Sequence, residues 1–389
     1  MDSVELFSGC GGLALGLARA GLRHLLLVER DHHSVANVVH NSRRGIEHVA
    51  DWKVHDGDVR SFGWSEYRGK AEVVAGGPPC QPFSIGGLHR GEEDGRDLWP
   101  EAVRAVREIK PRAFLFENVR GLARPKFAEH LEWIRLSLSI PALEQEGDQD
   151  RSAHLVQLRA HETDAEYVVT VMSVNAADFG AAQKRHRVLI MGIHRDIGPI
   201  HDVPRPTHSY ARLLWDQYVS GEYWERHELR RPRALPSRST DARMVDLLRN
   251  RGVKPKGNPW LTVRDSIAGL GEPGSRRDVP NHVFQPGAKT YSGHTGSPID
   301  EPAKALKAGV HGVPGGENMI SFSDNTVRYL TVREAARLQG LPDDYEFIGS
   351  WTENMRQLGN AVPTQLSEFF GRRLVGIVHR GSVFENKAA

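Results

Sequence analysis

The segment Val4-Glu-Leu-Phe-Ser-Gly-Cys-Gly-Gly12 sets the reading of this chain. A short apolar run breaks into three glycines, and residues 13–20 resume with helical spacing. Glycine permits the sharp backbone that a strand-to-helix turn needs. Outward from this turn the pattern repeats. Strand-like runs fall at residues 25–29, at a short stretch closed by Asp58, and at 71–75, 113–117, 167–175 and 188–193. Helical stretches at 34–41 and 99–110 lie between them. Strands alternating with helices predict a mostly parallel sheet covered on both faces. Ligands in such sheets sit beyond the C-terminal strand ends, so the residues just after each strand are the candidates.

Composition excludes several classes. The chain has 389 residues, 39% hydrophobic and 26% charged, enough for two domains and a core without covalent staples. Two cysteines, Cys10 and Cys80, rule out a disulfide scaffold and a cysteine-rich zinc site. No run of about 18 apolar residues occurs, so no membrane span is expected. Met1-Asp-Ser3 leads into the first strand without the cationic and apolar regions of a signal peptide, so a cytoplasmic protein is expected. The net charge of +2 decides nothing about partners, but residues 184–256 hold 16 Lys and Arg against 8 Asp and Glu. That excess, with Trp215, Tyr218, Tyr223 and Trp224, fits a surface laid against phosphates as well as it fits a solvated face.

Four motifs carry chemistry. In the first turn, Gly9, Gly11 and Gly12 let the backbone approach a ligand, and Glu29, ending the next strand, can accept two ribose hydroxyls. A nucleoside cofactor is the reading. The spacing departs from the G-x-G-x-x-G of dinucleotide sites, and a plain tight turn is the structural alternative. The second motif is Gly76-Gly-Pro-Pro-Cys-Gln-Pro-Phe-Ser84. Its prolines present Cys80 rigidly at a strand end, which suits a nucleophile. A long polar loop then runs to Arg96 and reads as a lid.

The third motif, Phe116-Glu-Asn-Val-Arg120, places Glu117 across from Cys80 if the fourth and fifth strands are neighbours. A nucleophile and an acid would then converge. The alternative is a helix cap made by Glu117 or Asn118. In the fourth, Gln183-Lys-Arg-His-Arg187, strand alternation sends Gln183, Arg185 and Arg187 to one side. Polar side chains entering a sheet need a polar or anionic partner, or a solvated edge.

Beyond residue 195 the pattern changes. Pro, Gly, Arg and His are frequent, periodicity is weak, and segments 232–236 and 312–317 read as loops. A second unit with little regular structure is expected over 196–350, after a first domain over 1–195. Thr331-Val-Arg-Glu334 is a capping box opening a short helix to Gln339. Pro363 starts a final helix with Leu366, Phe369, Phe370, Leu374 and Ile377 on one face, so residues 351–389 should return to the sheet as that helix. Residues 141–166 are polar and read as a surface excursion.

In this order the motifs resemble the cytosine-C5 DNA methyltransferase family. The resemblance runs through FSGCGG, Glu29, GGPPCQPFS, ENV, QKRHR, RYLTVREAARLQGLPDDYEF and Gly359-Asn-Ala-Val-Pro363, spanning residues 4–363. It implies an α/β fold: a class I methyltransferase (Rossmann-like) doubly wound sheet with one antiparallel strand, plus a smaller irregular target-recognition domain. It also implies an enzyme of bacterial restriction-modification type. Such an enzyme moves a methyl group from S-adenosylmethionine, leaving S-adenosylhomocysteine, to C5 of a flipped cytosine in a specific sequence of double-stranded DNA.

Residue by residue, the resemblance implies Cys80 as the nucleophile that adds to C6. Glu117 would serve N3 and the exocyclic amine, and Arg185 would partner O2. Phe7, Gly9, Gly11, Glu29, Asp58, Pro79 and Asn360 are implied at the cofactor, with Phe7 on adenine, Glu29 on the ribose and Asp58 on the adenine amine. Ser84, Gln183 and Arg187 are implied at DNA, and Asn118 is expected to brace the catalytic loop. Arg30 stands where many relatives carry an aromatic or apolar residue, and Ala182 where a proline is usual. No metal is implied, and a monomer acting apart from any cognate endonuclease is expected. The alternatives are a tRNA cytosine methyltransferase and a nucleic-acid binder without turnover. The basic second unit favours DNA, and intact Cys80, Glu117, Arg185 and Glu29 disfavour the non-catalytic reading.

Overall fold

The computed structural model describes residues 1–79, 97–147, 149–198, 204–236, 238–275, 278–308 and 316–388. Its first eight strands are β1 (Asp2–Leu6), β2 (Arg23–Glu29), β3 (Val54–Asp56), β4 (Val73–Gly76), β5 (Ala113–Val119), β6 (Tyr167–Asn175), the short β7 (Gln183–Lys184) and β8 (His186–His194). Seven of them form one sheet in the order β3-β2-β1-β4-β5-β8-β6. Neighbours pair in parallel except at β8, which runs antiparallel to both β5 and β6. The chain winds outward in both directions from β1 and β4, and ligand crevices open at the C-terminal strand ends beside such a reversal.

Five helices belong to this part: α1 (Gly12–Arg19), α2 (His32–Arg43), α3 (Trp99–Ile109), α4 (Ala128–Ser139) and α5 (Arg151–Ala160). Seven follow: α6 (Tyr210–Leu214), α7 (Glu222–Arg226), α8 (Ser239–Arg251), α9 (Val263–Ile267), α10 (Val332–Leu338), α11 (Trp351–Asn360) and α12 (Thr364–Ala388). No helix among the described residues is long and apolar enough to cross a membrane.

Strand alternation builds the layers. Val4, Leu6, Val74, Phe114 and Phe116 face one way and share a core with Trp99, Val106, Ile134 and Leu158 of α3, α4 and α5. Val73, Ala75, Leu115 and Met191 face the other way, onto Leu17 of α1 and Leu366, Phe370 and Leu374 of α12. Helices α1 and α12 meet at backbone distance. A Cβ on Gly16 would lie 2.0 Å from Ser367 Oγ and 2.5 Å from the Thr364 carbonyl oxygen.

Four expectations change. Residues 141–166 are more than a surface excursion, because α5 buries His154, Leu155 and Leu158. Its apolar positions are three or four residues apart, but the polar residues around them mask the pattern. Asp58 does not close β3; it lies two residues beyond and caps the 3-10 turn Val59–Ser61. The stretch 351–389 holds two helices, broken at Ala361, whose extended backbone precedes Pro363. The second unit is less irregular and less separate than expected. It contains the thirteen-residue α8, and Ile299, Leu306, Leu330 and Tyr345 share a core with Cys10, Ala14, Leu15 and Val38. The capping box of Thr331 and Glu334 opens α10 as expected.

Candidate active site

A cavity of ≈ 440 Å³ lies at the C-terminal ends of β1, β2, β4 and β5, a volume typical of cofactor sites. Phe7, Gly9, Glu29 and Asp58 line one part of it, together with Asn360. Pro79, Glu117, Arg185 and Arg187 line another. Cys80 and Ser84, and the expected lid, lie outside the described residues.

At the cofactor end, Glu29 is anchored by backbone. Its Oε2 accepts the Gly9 N–H at 2.8 Å, and its Oε1 accepts the N–H groups of Arg30 at 2.8 Å and Asp31 at 2.7 Å. An ionised carboxylate offers about four acceptor sites, so capacity remains for hydroxyl donors from the cavity. Phe7 takes φ 57°, a left-handed conformation that costs a non-glycine residue about 1–2 kcal/mol. Gly11 departs from expectation. It does not line the cavity but caps α1 in the left-handed region, and a Cβ there would fall 2.7 Å from the Trp52 ring.

Asp58 is heavily committed. It accepts the Arg60 amide at 3.0 Å, the Arg60 guanidinium at 3.0 and 2.6 Å, and Arg30 at 3.2 Å. The Arg60 hydrogen bonds hold its carboxyl well below the ordinary range, with Arg30 adding to them. A further donor at Asp58 must compete with Arg30, whose side chain is 67% exposed and free to swing away.

Two cavity residues escaped the sequence reading. Asp31 caps α2 through Ser34, accepting its N–H at 3.0 Å and its hydroxyl at 2.7 Å. Arg356 of α11 reaches back to Asp31 at 2.8 Å. Partial burial pushes the Asp31 carboxyl up, but Ser34 and Arg356 outweigh this and hold it below the ordinary range. The available signals were Asp31-x-x-Ser34 directly after a strand end, and Arg356 one helical turn before Asn360.

At the other end, β4 and β5 are neighbours with Gly76 opposite Phe116, so Gly77 lies beside Glu117. Glu117 belongs to β5 and is 7% exposed; it is not a helix cap. Its carboxylate meets the Arg187 guanidinium in an ion pair. Asn118 donates to the Pro78 carbonyl at 3.1 Å and accepts the Val119 N–H at 2.9 Å, bracing the Pro-Pro turn that leads to Cys80.

The QKRHR motif is not a solvated edge. Arg185, 1% exposed, donates to the carbonyls of Leu306 at 2.8 Å and Gly359 at 2.7 Å while lining the cavity. Gln183, expected at DNA, is wholly buried. Its amide nitrogen donates to Leu338 O at 3.1 Å and Gln339 Oε1 at 3.0 Å, and its oxygen accepts the Leu306 N–H at 3.2 Å. Pairing of Gln183 and Lys184 with Ala303 and Lys304 closes this edge, so Gln183 ties the second unit to the sheet instead.

The sequence model of the family described as C-5 cytosine-specific DNA methylase matches residues 1–139 and 148–376. The Type II methyltransferase M.PspPI of Psychrobacter sp. (strain TA137) is 31% identical over 388 residues, covering 98% of this chain and 81% of that protein. The Type II methyltransferase M.NgoMIV of Neisseria gonorrhoeae is 29% identical, covering 96% of each. Among solved structures, a prophage-encoded E. coli protein described as a DNA modification methyltransferase superposes with TM-score 0.58 at 21% identity, over 97% of this chain and 99% of that one. A DNMT2 variant from Spodoptera frugiperda does so with TM-score 0.57 at 12% identity, over the same shares.

Proposed function

The chain belongs to the C-5 cytosine-specific DNA methylase family, and from that premise we propose that it methylates a flipped-out cytosine in a specific duplex sequence through a transient Cys80 Sγ–C6 bond. The general activity is that of a DNA cytosine-5-methyltransferase dependent on S-adenosylmethionine. One observation supports the finer reading. A single cavity joins Glu29, anchored by three backbone N–H groups, to Glu117, Arg185 and Pro79, the residue before Cys80.

The residues fit the cofactor. Glu29 keeps acceptor capacity for ribose hydroxyls, and Phe7 and Asn360 flank the same space. When bound, S-adenosylmethionine supplies an electrophilic methyl group. Cytosine C5 is a poor nucleophile until a thiolate adds at C6. Cys80 forms that bond, and the displaced electron density moves onto C5 and N3, where a proton taken up by N3 is hydrogen-bonded by the Glu117 carboxylate that Arg187 pairs. Arg185 sets fixed positive charge on the O2 side of the base. Arg187 holds the Glu117 carboxyl group in place. After C5 takes the methyl group, water takes the C5 proton, the C5–H electron pair closes the C5–C6 double bond, the C6–Sγ pair returns to Cys80 as thiolate, and the N3 proton is released through Glu117. A stacked base cannot reach Cys80, so it must leave the duplex at a cost of a few kcal/mol. The basic stretch within residues 204–256 supplies the DNA contacts.

Bisulfite sequencing of DNA from cells expressing the chain tests this reading. 5-Methylcytosine should appear in one sequence context and vanish with Cys80→Ser. Methylation that persists with Cys80→Ser overturns the nucleophile assignment, and methylation in no context overturns the substrate.

A further inference from the structure

Asp97 is the first described residue after segment 80–96. Its Oδ1 accepts the Trp99 N–H at the start of α3 at 3.2 Å, and its Oδ2 meets Arg151 Nη1 of α5 at 2.8 Å. The Arg151 and Asp97 side chains are only 13% and 3% exposed. Arg151 Nη1 also lies 2.9 Å from His130 Nδ1, and its guanidinium sits 4.3 Å from the Trp133 ring centre. Arginine only donates, so His130 Nδ1 accepts and the ring is neutral. Burial pushes His130 down to about 4, in agreement. Arg151 therefore supplies the positive charge of this network.

A third contact ties α5 to α4, and one further bond closes the 141–166 segment on itself. Trp133 Nε1 donates to His154 Nδ1 at 3.1 Å, and His154 Nε2 donates to the Leu143 carbonyl at 3.1 Å. Apolar side chains often hold such an element in place as firmly as a nearly buried ion pair like that of Arg151 and Asp97 does. What the pair adds is position, because Asp97 can satisfy Arg151 in few arrangements. We propose that Arg151 is a positioning residue for methyl transfer: through Asp97 it fixes the start of α3, where the neighbouring Leu98 lines the cavity. This gives the 141–166 segment a role, and it rests on the assignment of Cys80 to the reaction.

The test uses the full chain in single-turnover methyl transfer to duplex DNA, with S-adenosylhomocysteine affinity measured alongside. Arg151→Ala and Asp97→Asn should slow transfer roughly ten- to hundredfold, the scale of a small misplacement of reacting groups. Cofactor affinity should stay within about twofold, and Arg151→Lys should recover part of the rate. Leu158→Ala removes packing from the same helix without touching Asp97; it should lower thermal stability and leave the rate unchanged. Wild-type rates in both charge variants overturn the proposal, as does an equal loss in Leu158→Ala. If Arg151→Ala does not fold, the isosteric Asp97→Asn decides by the same criteria. Failure of the Cys80 assignment would show separately, as full activity of Cys80→Ser in an otherwise unaltered chain.

Discussion

Arg187 at the start of β8 and Glu117 near the end of β5 form an ion pair across an antiparallel ladder, their side chains 11% and 9% exposed. The direction of β8 makes this possible. A parallel strand would deliver its first residues to the opposite edge of the sheet, away from the cavity. Running antiparallel, β8 sets Arg187 opposite Val119, at the strand ends where ligands bind.

Glu117→Gln keeps the shape of the side chain and removes its acid. Methyl transfer should fall about 100-fold or more, the scale of general acid–base catalysis, with cofactor affinity unchanged. Steady-state kinetics with separate cofactor titration check this; a loss of only a few fold would contradict the role of Glu117.

Glu29→Ala leaves the N–H groups of Gly9, Arg30 and Asp31 without their acceptor and takes one from the ribose. Hydrogen bonds to charged groups contribute about 1.5–3 kcal/mol, so S-adenosylhomocysteine should bind roughly ten- to hundredfold more weakly by calorimetry. Arg356→Ala, which removes the pairings with Asp31 and Glu353 but none with Glu29, should weaken binding less.

Gly16→Ala places a methyl group against Ser367 Oγ and the Thr364 carbonyl, forcing α1 from α12. Overpacking of this kind costs about 1–3 kcal/mol, to be read from denaturant midpoints. Adding Ser367→Ala should restore only part of the loss, because the Thr364 carbonyl and the Glu368 N–H remain in the way.

Much of this was legible locally. FSGCGG, Glu29, ENV and Pro78-Pro79 sit within a few residues of strand ends, so periodicity alone places them beside the cleft. What was not legible depends on partners far along the chain. Gln183 reads as an exposed polar residue until Leu306 and Leu338 bury it. Arg356 acquires meaning only through Asp31, 325 residues away. Arg151 sits in a polar stretch whose docking follows from Asp97 and His130, which no local pattern announces. Gly11 resembles Gly9 in sequence, yet only Trp52 explains it.

Acid should destabilise the fold earlier than its carboxylates alone require. Burial pushes His24 down to about 4 from 6.5, although its Nε2 donates to Ala14 O at 2.9 Å; His130 is pushed down to about 4 as well. Between these values the unfolded chain binds protons that the folded chain refuses. Their contribution is therefore fully present above pH 6.5 and lost as pH falls toward about 4. Denaturant midpoints across that window should decline, and less steeply in His24→Asn; a flat profile would contradict the burial of both rings.

The central claim is the bond between Cys80 and C6, and a duplex carrying 5-fluorocytosine at the methylated position tests it most directly. Fluorine cannot leave C5 as the proton does, so the step that frees Cys80 is blocked. With S-adenosylmethionine present, a denaturation-resistant protein–DNA adduct should accumulate, and mass spectrometry should map it to the peptide containing Cys80. An enzyme that methylates the unmodified duplex yet forms no adduct with the fluorinated one, or forms it through another residue, would contradict the account.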